Sequence, residues 1–358
     1  MKEKMKEKMK VAVMKTLGVI EYVERPVPAV KEDEVLVKLE YVGICGSDMH
    51  YYETGQIGPY KVEAPFVLGH EASGRVVEIG KNVHHLSKGD KVALEPGITC
   101  GTCDFCKKGT YNLCAEVEFF ATPPYDGVFQ EYVSHKADLC FKLPERVSTL
   151  TGALIEPLAV GMHAVNLGKA EAGQTVVVTG AGAIGLVTML ALIYKGVNRV
   201  IVVDVLSKRL EKAKELGATH VINGAEEDAL QKIMELTDGK GCDLAIDTAG
   251  SEITVNQMIH SVKKGARMVL VGYSSSEKMS LEMNVALDKE LTFKTVFRYR
   301  HIYPMAIDAA SSGKINLEGI VTDIFDFEEV PEAMDSSSKQ KADIVKAVIK
   351  FQKGIDGP

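Results

Sequence analysis

Val176-Val177-Val178-Thr179-Gly180-Ala181-Gly182-Ala183-Ile184-Gly185 is the stretch that decides the fold. Three consecutive valines predict a buried strand, and the apolar residues that follow, Leu186, Met189, Leu190 and Ile193, recur at helical spacing. Between strand and helix stands Gly-x-Gly-x-x-Gly. Gly180 suits the tight turn, Gly182 lets the backbone approach a pyrophosphate, and Gly185 lets helix and strand pack closely. The free N–H groups at the helix N-terminus point at the same phosphates. The glycines alone are a weak signal; a strand before, a helix after and an acid one strand further on give them weight. That acid is Asp204, which ends Arg199-Val200-Ile201-Val202-Val203. Its carboxylate suits a ribose diol and repels a 2′-phosphate, which favours NAD over NADP. Arg209 pulls the other way, because a guanidinium can hold a 2′-phosphate.

Outward from this unit the same rhythm continues. Apolar runs at Val200–Val203, His220–Ile222, Leu244–Ile246, Met268–Val271 and Leu291–Phe297 alternate with helical segments, one of them from Ser207 to a stop at Gly217. Six such runs with helical crossovers predict an α/β domain with a doubly wound parallel sheet over residues 158–297. Residues 1–157 read differently: Val35–Val42 and Arg75–Gly80 belong to a series of short strands punctuated by glycine, which predicts a β-barrel-like domain. Residues 298–358 are too few for an independent core and are expected to pack back on the first domain.

Composition narrows the function classes. The chain has 358 residues, 46% hydrophobic and 25% charged, which excludes a disordered, collagenous or coiled-coil protein. A net charge of −7 gives no electrostatic reason to expect nucleic acid. The longest apolar run, Ala183–Tyr194, is broken by Gly185 and Thr188 and falls short of the roughly 20 residues that span a bilayer. The opening MKEKMKEKMK lacks the apolar core of a secretory signal. Its first eight residues are expected to be a solvated extension, with Met1, Met5 and Met9 as alternative starts and the cytoplasm as the compartment. An odd number of cysteines, seven, also suits a reducing compartment.

Four of those cysteines cluster as Cys100-x2-Cys103-x2-Cys106-x7-Cys114. Four thiolates in one loop suit a tetrahedral structural zinc, and the last interval departs from ferredoxin spacing. Cys140 and Cys242 stand apart and read as small buried residues. A scattered set remains: Gly43-Ile44-Cys45-Gly46-Ser47-Asp48-Met49-His50, then Gly69-His70-Glu71, then Glu156-Pro157. Spacing alone does not show that these converge.

Together these motifs resemble the zinc-dependent medium-chain alcohol dehydrogenase family, over about residues 9–350. His50-Tyr51-Tyr52, Phe119-Phe120-Ala121-Thr122-Pro123-Pro124, Ala153-Leu154-Ile155-Glu156-Pro157 and Val296-Phe297-Arg298-Tyr299 are similar to its polyol branch, the sorbitol (L-iditol) and xylitol dehydrogenases. The resemblance implies a GroES-like catalytic domain (1–157 and 298–358), a Rossmann domain and a site in the cleft between them. It implies a catalytic zinc held by Cys45, His70 and a carboxylate, either Glu71 or Glu156, besides the structural zinc of the four-cysteine loop. Ser47 and His50 match the family's proton relay, with Glu156 as the alternative. Tyr51, Phe119, Thr122, Glu156, Arg298 and Tyr299 match pocket positions. Gly180, Gly182, Ile184, Gly185, Asp204, Arg209, Val271, Gly272, Tyr273, Val296, Phe297 and Arg298 match the NAD site. The implied enzyme is a homotetramer that oxidises sorbitol, xylitol or a close relative to the 2-ketose. The alternatives are a dehydrogenase of L-threonine or another secondary alcohol such as a short diol, and a non-catalytic protein that binds NAD and zinc.

Overall fold

The computed structural model describes residues 7–351 apart from 275 and 277. The chain divides into two compact units, Met1–Glu156 with Val321–Pro358, and Pro157–Ile320. Residues 1–6 of the expected N-terminal extension lie outside the described residues. Lys8 and Met9 already belong to a strand, Lys8–Thr16, that pairs antiparallel with Val19–Pro26.

The first unit is built on the long strand Glu34–Gly43. One edge pairs antiparallel with Glu71–Ile79. The other edge is shared: Tyr132–Lys136 pairs with residues 34–38, and Ala347–Lys350 pairs with Tyr41, Val42 and Gly43. Val35, Val37, Leu39 and Val42 are fully buried in the hydrophobic core beside Val11, Leu68, Val76 and Val92. One strand serving two partners along one edge lets the sheet curl, the geometry of the expected barrel-like domain.

The second unit carries the expected sheet. Six strands run in the order His220–Asn223, Arg199–Asp204, Thr175–Thr179, Cys242–Asp247, Val262–Leu270 and Thr292–Thr295. Every pairing is parallel. This is the doubly wound order in which a dinucleotide binds where the winding reverses, beyond the carboxyl ends of the strands. The reversal falls between Thr175–Thr179 and Cys242–Asp247. There Thr248 donates its hydroxyl to the carbonyls of Thr179 (2.8 Å) and Gly180 (3.1 Å).

The chain returns to the first unit later than residue 298. Residues 298–320 stay with the sheet unit because the helix Tyr303–Ser311 is tied to the helix Ala183–Tyr194, where Tyr194 Oη donates to Asp308 Oδ2 at 2.7 Å. The turn Glu318–Ile320 packs on the same helix, with Gly319 against Leu216. The break between the units falls at Glu156 and Pro157, one residue earlier than expected. Among the described residues no helix is long and apolar enough to cross a membrane.

Candidate functional site

Cys45 caps the helix Gly46–Thr54, and Asp48, three residues on, accepts the Cys45 amide at 3.0 Å, closing a capping box. The helix N-terminus therefore lies beside the Cys45 side chain. Asp48 is fully buried and also accepts from the amide of Gly69 (2.9 Å), while its Oδ1 lies 3.5 Å from Nδ1 of His70. Two loops distant in sequence are thus pinned to one carboxylate. The result brings Cys45, His70 and Glu71 together, with one ligand atom of each within 4.8 Å of the others.

The electrostatics of this cluster call for a cation. Burial lowers the pKa of His70, but the charges of Asp48 and Cys45 overcome it and hold the imidazole well above its ordinary value. Burial raises Asp48, yet His70 and the two amides keep its carboxyl below the usual range. A dication held by Cys45 and His70 would supply the positive charge that the proton otherwise provides. Glu71 is ion-paired with Lys346, and both side chains are buried. Lys346 also donates to the carbonyl of Ile44 at 2.9 Å. Burial lowers its pKa, but Glu71, Cys45 and Glu156 outweigh that and raise it. Gly43 is required here, since any side chain would strike the Glu71 carboxylate. Glu156 opens the helix Ile155–Gly168 and is buried, but it does not join the ligand cluster at 4.8 Å.

The other candidates divide. Ser47 and His50 lie one turn apart on the Cys45-capped helix, the first half-buried and the second exposed, and no hydrogen bond joins them among the described residues. Phe119 is buried with its ring centroid 5.9 Å from that of His70. Thr122 is bridged to Tyr125 just beyond it. Tyr51 is buried in the first unit's hydrophobic core, edge-on to Phe66 at 6.3 Å. Arg298 and Tyr299 belong to the second unit: Arg298 lies over the Phe297 ring at 4.8 Å with a positive φ of 55°, and Tyr299 is buried against Tyr303.

The four-cysteine loop closes on itself. All four sulfurs lie within 4.8 Å of one another, and Cys100 Sγ stands 4.0 Å from Cys106 and 3.6 Å from Cys114. Zinc–sulfur bonds of about 2.3 Å in a tetrahedron place sulfurs roughly 3.8 Å apart, so the loop already fits the ion. The amides of Thr102 and Cys103 lower the Cys100 thiol to about 6. At Cys103 the amide of Cys106 also lowers the pKa, but desolvation and the neighbouring sulfurs push the thiol up to about 11. Crowded thiolates of this kind are relieved by a dication. Cys140 and Cys242 are buried, as expected, and burial raises the pKa of both thiols.

In the second unit Gly180 has φ 90°, and a side chain at Gly185 would collide with the Gly180 carbonyl. Gly182 caps the helix Ala183–Tyr194 that Ile184 helps begin, and Arg209 Nη1 stands 3.7 Å from where its Cβ would be. Asp204 does more than end a strand. Its Oδ2 accepts the Ala181 amide at 2.6 Å, and its Oδ1 accepts those of Val205 (2.7 Å) and Leu206 (2.9 Å). The acid therefore shapes the glycine turn. Val271 and Gly272 donate to the Asp247 carbonyl, Val296 donates to Leu270, and Tyr273 is exposed. Gly272 lies so close to Gly250 that neither tolerates a Cβ. These positions gather at the carboxyl ends of the strands, where a dinucleotide fits.

Sequence reading missed Asp48, Lys346, Thr248 and Gly250. Asp48 stood inside the quoted Cys45 motif; Lys346 showed only as a charge within Ile344–Ile349, a mostly apolar run.

Residues 31–145 match the alcohol dehydrogenase GroES-like domain, and residues 183–312 match the zinc-binding dehydrogenase family. The chain is 41% identical to a sorbitol dehydrogenase of Bacillus subtilis (strain 168) over 343 residues, covering 96% of this chain and 97% of that one. A zinc-binding dehydrogenase from Sinorhizobium meliloti 1021 bound to NADP superposes with a TM-score of 0.89 at 30% identity, over 97% of this chain and 100% of that chain. A short chain alcohol dehydrogenase from E. coli CFT073 complexed with NADH does so with 0.89 at 31% identity, again over 97% and 100%. With its two matching domains, its two side-chain clusters that could hold a metal ion and its Gly180–Gly185 turn, the chain belongs to the zinc-dependent medium-chain alcohol dehydrogenase family, in the sorbitol and xylitol dehydrogenase branch.

Proposed function

We propose that this enzyme oxidises a secondary hydroxyl of sorbitol, xylitol or a close polyol relative to the 2-ketose, reversibly, with NAD as the hydride acceptor. The cluster of half-buried Cys45 with buried His70 and Glu71 carries the reading, because a purely structural protein needs only the four-cysteine loop. Cys45 and His70 would hold a catalytic zinc with Glu71 or Glu156 as the carboxylate, and Cys100, Cys103, Cys106 and Cys114 a second, structural one. Zinc bound at the first site acidifies the alcohol hydroxyl.

The chain's own residues do the rest. Asp48 orients His70 through Nδ1 and would leave the other ring nitrogen for a metal. Lys346 restrains Glu71. Phe119 walls the pocket beside His70. Ser47 and His50 take the hydroxyl proton outward, with Glu156 as the other route. Arg298, with its five N–H donors, suits a row of substrate hydroxyls. Asp204 favours NAD by charge, and the same carboxylate holds the glycine turn. In this reading the enzyme works in the cytoplasm as a homotetramer and has no nucleic-acid or membrane partner.

Initial rates with NAD and with NADP against four- to six-carbon polyols, before and after metal chelation, test the proposal. Activity on hexitols with NAD that chelation abolishes is the expected result. Turnover confined to L-threonine or to short diols refutes it.

A further inference from the structure

Glu95 is an unexpected residue in the first unit. It follows the strand Lys91–Leu94, is 4% exposed, and accepts the Tyr111 hydroxyl at 2.8 Å. Burial raises its carboxyl to about 7, against a smaller lowering by Tyr111, so placing an acid here costs stability. Its backbone is fixed on both sides: its amide donates to Leu139 and its carbonyl meets His135 Nε2 at 2.8 Å.

From Glu95 the chain runs through the short strand Gly97–Ile98 into the four-cysteine loop. It passes Tyr111 and Cys114 and returns through Glu118–Phe119. The two short strands pair antiparallel, Gly97 opposite Phe119 and Ile98 opposite Glu118. The Phe120 amide donates to Pro96, and the Phe120 ring lies tilted against His135 at 4.7 Å. The Phe119 ring lies over Gly97, where a Cβ would come within 3.1 Å of it, and reaches His70 at 5.9 Å. The cysteine loop and the wall of the candidate active site are thus two ends of one hairpin. Two backbone pairs are a short hold for a strand, and the Tyr111–Glu95 bond crosses the base of the loop where it can brace them.

We propose that Glu95 is a positioning residue for substrate: by holding Tyr111, and with it the cysteine loop, it keeps Phe119 against His70. The inference rests on the reading of Phe119 as a pocket residue. It assigns the loop a part in substrate fit beyond holding its own metal.

The test compares wild type with Glu95→Ala, Glu95→Gln and Tyr111→Phe. For Glu95→Ala and Tyr111→Phe, KM for sorbitol should rise about threefold to tenfold, the effect of part of one charged hydrogen bond. The expectation includes kcat within about twofold of wild type, unchanged KM for NAD and unchanged zinc content. Glu95→Gln keeps an acceptor for Tyr111 and should restore KM to near wild type.

A second readout needs no turnover. The chain has no tryptophan, so Phe119→Trp places a single indole at the wall. Adding Glu95→Ala to it should move the emission to longer wavelength, and adding Glu95→Gln should not. Unchanged sorbitol KM and unchanged emission in folded Glu95→Ala overturn the proposal, as does an equal rise in KM for sorbitol and NAD. Should Glu95→Ala fail to fold, Tyr111→Phe, which removes one hydroxyl, decides. Should wild type oxidise no polyol, the functional reading fails, and the emission shift judges Glu95 by itself.

Discussion

Asp48→Asn is the most informative change at the candidate metal site. The carboxylate accepts three donors on two oxygens: the Cys45 amide on Oδ2, and the Gly69 amide with His70 Nδ1 on Oδ1. Asparagine has one acceptor oxygen. If that oxygen stays with Gly69 and His70, the NH2 group faces the Cys45 amide, donor against donor. One buried amide then loses its partner, at about 1–3 kcal/mol of folding stability. His70 also loses the charge that most raises its pKa, so its ring is less firmly oriented and less basic toward a metal. Removing such an outer partner typically weakens metal binding about 10–100-fold, or roughly 1.4–2.7 kcal/mol. Competition with a chromophoric chelator at neutral pH measures the affinity of each zinc class, and thermal unfolding measures the fold. The expected outcome is weakened binding at the Cys45–His70 cluster and unchanged binding at the four cysteines. Unchanged affinity at the first cluster in a folded variant refutes the argument, and an equal loss at both clusters shows general loosening.

Asp204→Ala should lower affinity for NAD and admit NADP, and it should also lower Tm, because Ala181, Val205 and Leu206 lose their acceptor; cofactor titrations and melting curves check both. Cys103→Ser should lower thermal stability while metal at the Cys45 cluster remains, as metal analysis with melting curves would show. Arg298→Ala should raise KM for a hexitol by roughly one to two orders of magnitude, for one charged hydrogen bond of ~1.5–3 kcal/mol, and leave 2,3-butanediol nearly unaffected. For Glu95 the folded pKa of about 7 lies above the ordinary carboxyl value of 4.5. Its contribution to stability is therefore fully present below pH 4.5 and lost as pH rises through about 7, a change of roughly 3 kcal/mol. Denaturant unfolding of Glu95→Gln should lack that slope.

Much of this molecule was legible before folding was considered. Six strands of the second unit, the turn from Gly180 to Gly185 and the four-cysteine loop are local patterns. A valine run buries itself whatever lies elsewhere, and four thiols within one loop meet because the loop is short. Asp204 was legible as the acid at a strand end, but its grip on the Ala181 amide was not, since that bond crosses between adjacent parallel strands. The candidate metal site needed the tertiary structure. Gly43 pairs with both Glu71 and Val348, so strand register alone brings Lys346 beside Glu71 from the far end of the chain. The buried Asp48 carboxylate joins Cys45 to Gly69 through two hydrogen bonds, and no spacing in the sequence encodes that choice. Residues 298–320 show the same limit. Contacts such as those of Asp308 and Lys314 with Tyr194, and of Gly319 with Leu216, hold them to the sheet unit, and no spacing in the sequence announces these. Short-range order follows from periodicity and turn chemistry; which distant side chains share one buried charge follows from packing, where an unpaired ion is too costly to keep.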